Sequence, residues 1–560
     1  MNYNENIAHP KKLNIWLPLL FSLVLVAGML IGTKMQNNPP TVAAIEVSKK
    51  EDLPPSTLGQ GKLEELIRYI EARYVDDVNK DELVKEAIDN ILFQLDPHSN
   101  YISAEQLKSV NEQLEGSFDG IGIEFVVVED TVMVVAALAG GPAEAVGIRS
   151  GDKIVEIEDS LTVGNNIDYE GILDKLRGES GSKIKIGVRR SNETKLNYFT
   201  ITRGKIPVKS VEVAYMLDTE TGYVKINRFS AKTYEEFMNA LEDLVDNHDM
   251  KHLVLDLRQN PGGYLQEAVN ILSQLFDRKD LLLVYTEGKN VSRSEYKSTG
   301  RNFYKIENIA VLTDEGSASA SEIIAGAIQD HDRGVIIGRR TFGKGLVQEQ
   351  YRLRDGSAIR LTVARYYTPS GRCIQKPYES REAYDEDVAD RIHNGELYDE
   401  SKIEIEDTTR YLTTGGRVVY GGGGIQPDIF VPLDSFLLNT YFIRLNQQVP
   451  AFAFRYLEAN RNALEKTTLE EFVQNFAVSD NLLTSFHDFA VRQGVKRNDR
   501  QWKQIRKEIG QSLKAGIARH VWSEKGHQLV MNQEDPAVKK AMKVVKEEQP
   551  ISLKNKPGKK

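Results

Sequence analysis

Apolar residues recur at intervals of three and four over Leu63, Leu66, Ile67, Ile70 and Tyr74, and again over Val84, Ala87, Ile88, Ile91 and Leu95. That spacing gives each segment one apolar face, so residues 59–112 are expected to form a small helical domain. Upstream the pattern is continuous rather than periodic. Ile15 to Gly32 (IWLPLLFSLVLVAGMLIG) carries no charge and is about the length that crosses a hydrocarbon core. Lys11 and Lys12 precede it and no small-residue cleavage site follows, so residues 1–34 read as a cytoplasmic end and an uncleaved transmembrane signal anchor. Pro39, Pro40, Pro54 and Pro55 among polar neighbours make residues 35–58 a linker that holds the body off the membrane.

From Gly116 to about Lys205 the pattern changes to short strands and turns. Gly120, Ile121, Gly122, Ile123, Glu124 and Phe125 open it, and GGPAEAVGIRSGDKIVEI covers Gly140 to Ile157. These stretches resemble a PDZ domain, in which a glycine loop entering a strand offers backbone amides to a peptide's terminal carboxylate. Residues 113–205 are assigned to it, with Gly120, Ile121, Gly122 and Ile123 as the loop. Strands and helices then alternate as in a layered α/β domain, residues 206–433. His252 to Leu257, Ile309 to Leu312 and Val335 to Ile337 are short apolar runs that suit buried strands, whereas Ile359, Leu361 and Val363 alternate with Arg360 and Thr362 as on a half-exposed one. Residues 434–560 turn helical and charged and end in a solvated tail, LKNKPGKK. The fold class is therefore multidomain α+β.

Composition narrows the chemistry. With 41% hydrophobic and 27% charged residues the body is that of a globular protein, and a net charge of -9 leaves no basic surplus to neutralise phosphates, so nucleic acid is not an expected partner. Cys373 is the single cysteine, which excludes an internal disulfide and any cysteine metal cluster. The histidines, among them His98, His248, His252 and His331, have no metal-ligand spacing and read as surface or core residues. No cofactor or metal is expected.

Three features of the α/β region carry candidate chemistry. Asp256 to Gly263 (DLRQNPGG) runs a strand into a glycine turn that can aim an amide into a cleft. Glu315 to Glu322 (EGSASASE) places small residues and hydroxyls at a helix start, and Ser319 with Glu322 also matches a plain capping box. Gly338 to Gly345 (GRRTFGKG) wedges Lys344 between glycines, where burial would lower its pKa toward that of a base. The last stretch is one residue from a phosphate-binding loop, but Gly345 stands where a magnesium-binding serine or threonine is needed and a strand follows, Leu346 to Tyr351. Ser180 with Lys183 and Ser294 with Lys297 match S-x-x-K without its companion motifs. Asp330 and His331 are adjacent, so their side chains diverge on a helix and cannot relay a proton to a serine.

Taken in order, LDPHSNY (Leu95 to Tyr101), the PDZ-like segment, DLRQNPGG, EGSASASE, TFGKG with Gln348, and RYYTPSGRCIQ (Arg365 to Gln375) resemble the C-terminal processing peptidases, or tail-specific proteases, across residues 60–433. The resemblance implies a crotonase-like or Clp-protease-like core and a serine endopeptidase that cuts proteins near their C-terminal tails. It implies Ser319 as nucleophile, Lys344 as general base, Gln348 as the residue orienting the lysine, and the amides of Ala320 and of Gly262 or Gly263 as oxyanion donors. It also implies peptide or protein substrates with free C-termini, and an envelope protein anchored in the inner membrane with its catalytic domains outside the cytoplasm. A homo-oligomer or an adaptor is left open as a further partner. The chain departs from the family in an insertion at about 376–420 and in the helical extension after 434. Two other classes are weighed: an inactive PDZ scaffold, which would lack a motif residue, and an acyl-thioester enzyme, which needs no peptide-capturing module.

Overall fold

The computed structural model describes residues 61–547, except 129–130, 139, 163–168, 191–192, 194, 379 and 406. The anchor, the linker and the lysine-rich tail lie outside the described residues. Among those described, no helix is long and apolar enough to cross a membrane.

Two compact units divide the chain, Met1–Val84 and Lys85–Lys560. The helix Lys62–Arg73 forms where the spacing predicts it, yet only Ile67 on it is buried and Leu63 and Leu66 remain exposed. A helix of three turns gains little without a sheet or helix pair to receive its apolar stripe.

In the second unit, a six-stranded sheet forms the centre. Val211–Met216 lies antiparallel to Thr221–Ile226; His252–Asp256, Asn308–Thr313, Val335–Gly338 and Ile429–Phe430 then add in parallel. Successive strand side chains point to opposite faces, so both faces need cover. Leu253, Leu255 and Val311 face the helices Thr233–Glu242, Leu265–Leu275 and Ala320–Asp330. Val254, Ala310, Leu312 and Ile337 face Ala537, Val538, Ala541 and Val544 of the helix Pro536–Val545, so the end of the C-terminal extension completes the core.

A second sheet carries the strands that reach the cleft. Ala358–Tyr367 pairs antiparallel with Asn100–Ile102, Lys279–Glu287 and Leu346–Arg352, with Ser294–Thr299 beyond Lys279–Glu287. The antiparallel sheet of the PDZ-like region has Ile123–Val128 at its edge, followed by Thr131–Ala137, Lys153–Ile157, Lys183–Arg189 and Asn197–Thr202. Ile154, Ile186, Val188 and Ile201 fill its core against Ile172 and Leu176 of the helix Tyr169–Leu176. The extension after residue 434 is helical as expected, and its longest helix, Asp499–Asn532, is interrupted at Trp522 and Ser523.

Candidate active site

Parallel strands deliver their loops to one edge of a sheet, and three of those loops meet here. After His252–Asp256 comes the glycine turn, after Asn308–Thr313 the serine run, and after Val335–Gly338 the lysine loop. Ser319, Lys344, Gln348, Gly262 and Gly263 line one cleft of about 630 Å³, with Tyr264, Leu265, Tyr296, Ile323 and Arg360.

The structure separates the three serines. Ser317 Oγ donates to the Leu257 carbonyl (2.8 Å) and Ser321 Oγ to the Asn260 carbonyl (3.0 Å), so both hydroxyls fasten the serine run to the glycine turn. Ser319 instead opens the helix Ala320–Asp330 with φ 55° and ψ -113°, a conformation that a non-glycine residue rarely adopts, and faces the cleft.

Asn260, fully buried, locks the turn. Its Nδ2 donates to the Ile226 carbonyl (2.8 Å), its Oδ1 accepts from Gly262 N–H (2.9 Å), and its carbonyl accepts from Ala318 N–H (2.9 Å). The Gly262 amide is thereby committed. Those of Gly263 and Ala320 have no acceptor among the described residues, which leaves them as the pair able to meet an oxyanion. Gly262 serves by its lack of a side chain: at φ 97°, a Cβ there would lie 2.7 Å from Ser319 Cβ.

Lys344 Nζ donates to Gln348 Oε1 (3.0 Å), and no hydrogen bond joins it to Ser319 among the described residues. Burial pushes its ammonium down to about 8, helped by the charge of Arg360. Arg360 has no carboxylate partner among the described residues, so its field is not cancelled locally.

Glu322 is the main residue whose part the sequence concealed. Its capping-box spacing is real, since Oε2 accepts from Ser319 N–H (2.8 Å). The same carboxylate also accepts from Lys344 N–H (2.8 Å), Gly343 N–H (2.7 Å) and Thr341 Oγ1 (2.6 Å). It thus clasps the serine run to the lysine loop. Tyr366 adds a second tie, its hydroxyl 2.6 Å from the Lys344 carbonyl and 3.1 Å from that of Ser319. Burial pushes the Glu322 carboxyl up to about 7, while four donors call for the ionised form.

These shifts set a pH dependence. A free lysine base and an ionised clasp both require deprotonation, so kcat/KM is expected to rise with pH to a plateau above about 8, and more steeply below about 7 where two protons must leave. A pH–rate profile on a peptide substrate checks this; a flat profile from pH 6 to 9 contradicts it.

In the PDZ-like region, Gly120 ends the strand Ser117–Gly120 and Ile123 begins the edge strand. The Ile121 and Gly122 carbonyls accept from Ala143 and Leu138, and the Ile121 and Gly122 amides between the strands have no acceptor among the described residues. Phe125 on the edge strand and Tyr169 on the helix beside it stand 5.0 Å apart. Asp330 and His331 are spent elsewhere, on Arg372 and on the Leu282 carbonyl.

The model of peptidase family S41 matches residues 220–380, and that of a family of unknown function, DUF8443, matches residues 441–523. A carboxy-terminal-processing protease of Bartonella bacilliformis is 35% identical over 317 residues, 56% of this chain and 71% of that protein. The carboxy-terminal processing protease CtpB of Bacillus subtilis is 33% identical over 354 residues, 62% of this chain and 72% of CtpB. A solved photosystem II D1 C-terminal processing protease is 27% identical, aligned over 68% of this chain and 89% of that one with a TM-score of 0.33.

Proposed function

The chain belongs to the carboxy-terminal processing proteases of peptidase family S41 and is a serine-type peptidase; from that premise we propose that Ser319 attacks the scissile carbonyl and Lys344 is its base. The observation that carries this is the cleft in which Ser319, in its strained cap position, and Lys344 face one space. Neutral Lys344 takes the Ser319 proton as Oγ bonds to the carbonyl carbon, and the amides of Ala320 and Gly263 receive the oxyanion. The lysine returns that proton to the leaving amine, and water, deprotonated by the same lysine, then frees the new carboxyl terminus and Ser319. Gln348 holds the ammonium through its carbonyl oxygen. Cleavage of an unfolded protein with an apolar tail by wild type, and its loss in Ser319→Ala, tests the nucleophile; undiminished cleavage overturns it.

Substrate capture falls to the Gly120, Ile121, Gly122 and Ile123 loop. Its free amides and the adjoining strand edge suit a terminal carboxylate followed by an added strand. Amidating the tail of a peptide substrate is expected to raise KM by about ten- to a hundredfold, since a hydrogen-bonded charge is worth about 1.5–3 kcal/mol. Unchanged KM and kcat refute carboxylate capture. Residues 15–32 anchor the chain in the cytoplasmic membrane, as their uncharged run supports, and the family resemblance suggests that the peptidase lies outside the cytoplasm. Fractionation with protease accessibility of intact cells tests that placement.

A further inference from the structure

Gln348 accepts a hydrogen bond from Lys344 only if its amide is held one way round, because the flipped group would turn its NH₂ toward the ammonium. The structure contains the device that fixes it. Gln348 Nε2 donates to the His98 carbonyl at 2.5 Å, so Oε1 is the atom left for the lysine.

That carbonyl belongs to a tightly built turn. Buried Asp96 accepts from the N–H of His98 (2.8 Å) and of Ser99 (2.9 Å), and from Thr362 Oγ1 (3.1 Å); Ser99 Oγ accepts from Thr362 N–H (3.1 Å). The turn is therefore pinned to the strand Ala358–Tyr367. The His98 side chain is pinned from the other side, its Nε2 lying 2.6 Å from the Tyr384 hydroxyl with the rings edge to face at 5.3 Å. Burial, then the charge of Lys344, pushes the imidazole down to about 4, so the neutral ring shares one hydrogen bond with the phenol.

Tyr384 lies in the helix Arg381–His393, within the insertion that sets this chain apart from the pattern of its family. The insertion is fastened to the lysine loop as well. Arg391 donates to the Thr341 carbonyl (3.0 Å), buried Glu396 pairs with Arg340 (2.6 and 2.7 Å), and Lys376 Nζ sits 4.1 and 4.0 Å from the Phe342 and Tyr384 ring centres. One side of the insertion thus holds the loop bearing Lys344, and Tyr384 reaches His98, whose carbonyl fixes the amide that holds the ammonium.

We propose that Tyr384 is a positioning residue for Lys344, acting through His98 and Gln348, and that the inserted segment exists in part to supply it. The proposal rests on Lys344 being the base. Tyr384→Phe removes one hydroxyl and keeps the ring. In the full-chain protein it is expected to lower kcat about fivefold with KM unchanged, the effect of one lost hydrogen bond. His98→Phe, which keeps a ring but lacks the nitrogen that meets the phenol, should give a similar loss. In a Gln348→Ala background Tyr384→Phe should cost nothing further, because the route it acts through is gone.

A helix that merely stabilised the fold would lower activity by the same factor in both backgrounds, and that result overturns the proposal, as does a Tyr384→Phe enzyme equal to wild type. Lys344→Ala measured alongside separates the two levels. If it is inactive while Tyr384→Phe matches wild type, the base stands and the positioning role falls; if Lys344→Ala is active, both fall.

Discussion

Lys344→Ala and Ser319→Ala are each expected to lower kcat by about 10⁴-fold or more, and the double variant no further than either alone, because a nucleophile and its base act as one unit. Lys344→Arg is the sharper probe. It keeps a cation of nearly the same reach in the cleft, so a role in binding substrate charge would survive it, whereas a guanidinium stays protonated and cannot take the Ser319 proton. It is expected to be as inactive as Lys344→Ala. Steady-state kinetics on a peptide substrate, with thermal unfolding to show that the variants remain folded, decide the matter. Losses that multiply in the double variant, or an active Lys344→Arg, would sink the shared-unit reading.

In the proposed mechanism the base is made by its surroundings rather than by contact with the serine. Lys344 lies in a cleft where desolvation opposes its charge, and Arg360 adds a positive field with no carboxylate beside it among the described residues. Three other arginines of this domain are neutralised: Arg372 by Asp330, Arg340 by Glu396, Arg258 by Asp256 and Asp535. Arg360 alone among these leaves its charge to act on a neighbour.

Much of the frame was legible because it is written in short-range periodicity. The apolar runs at His252, Ile309 and Val335 are the parallel strands His252–Asp256, Asn308–Thr313 and Val335–Gly338, and the glycine, serine and lysine motifs follow from those strands as loops at one edge. The strand after the lysine, which weighed against a phosphate loop, is Leu346–Arg352. What period cannot show is pairing between distant segments. Glu322 looked like a cap because its local duty is a cap, and its bonds to Thr341, Gly343 and Lys344 exist only once two loops meet. His98 passed for a surface or core histidine because the atom that matters is its carbonyl oxygen, which every residue possesses. That the Gly262 amide is already spent depends on the side chain of Asn260, and the helix Pro536–Val545 joined the core through a face that its many lysines disguised.

Glu322 supplies the second large effect. Its two oxygens meet four donors in a fully buried site, an arrangement that neither a side-chain amide nor a methyl reproduces. In Glu322→Gln one amide nitrogen must face two of those donors, and in Glu322→Ala all four lose their acceptor. Each unsatisfied group costs about 1–3 kcal/mol, so a loss of at least about 2 kcal/mol in urea unfolding is expected for either, with kcat reduced about a hundredfold in whatever remains folded, because both the serine and the lysine backbone are released. The pH dependence carries a further sign. Burial raises the folded-state pKa from 4.5 to about 7, so the contribution of this group to stability is fully present below about 4.5 and is lost as pH rises through about 7. The stability gap between wild type and Glu322→Gln should therefore narrow as pH rises across that window. Activity moves the other way, since the clasp holds all four donors only when ionised. A wild-type enzyme that loses stability while gaining kcat/KM between pH 5 and 7 with the steepness of two protons, beside a Glu322→Gln protein that keeps its stability and gains kcat/KM with the slope of the Lys344 proton alone, would identify this carboxylate as the group that trades one for the other; a constant gap would assign the trade elsewhere.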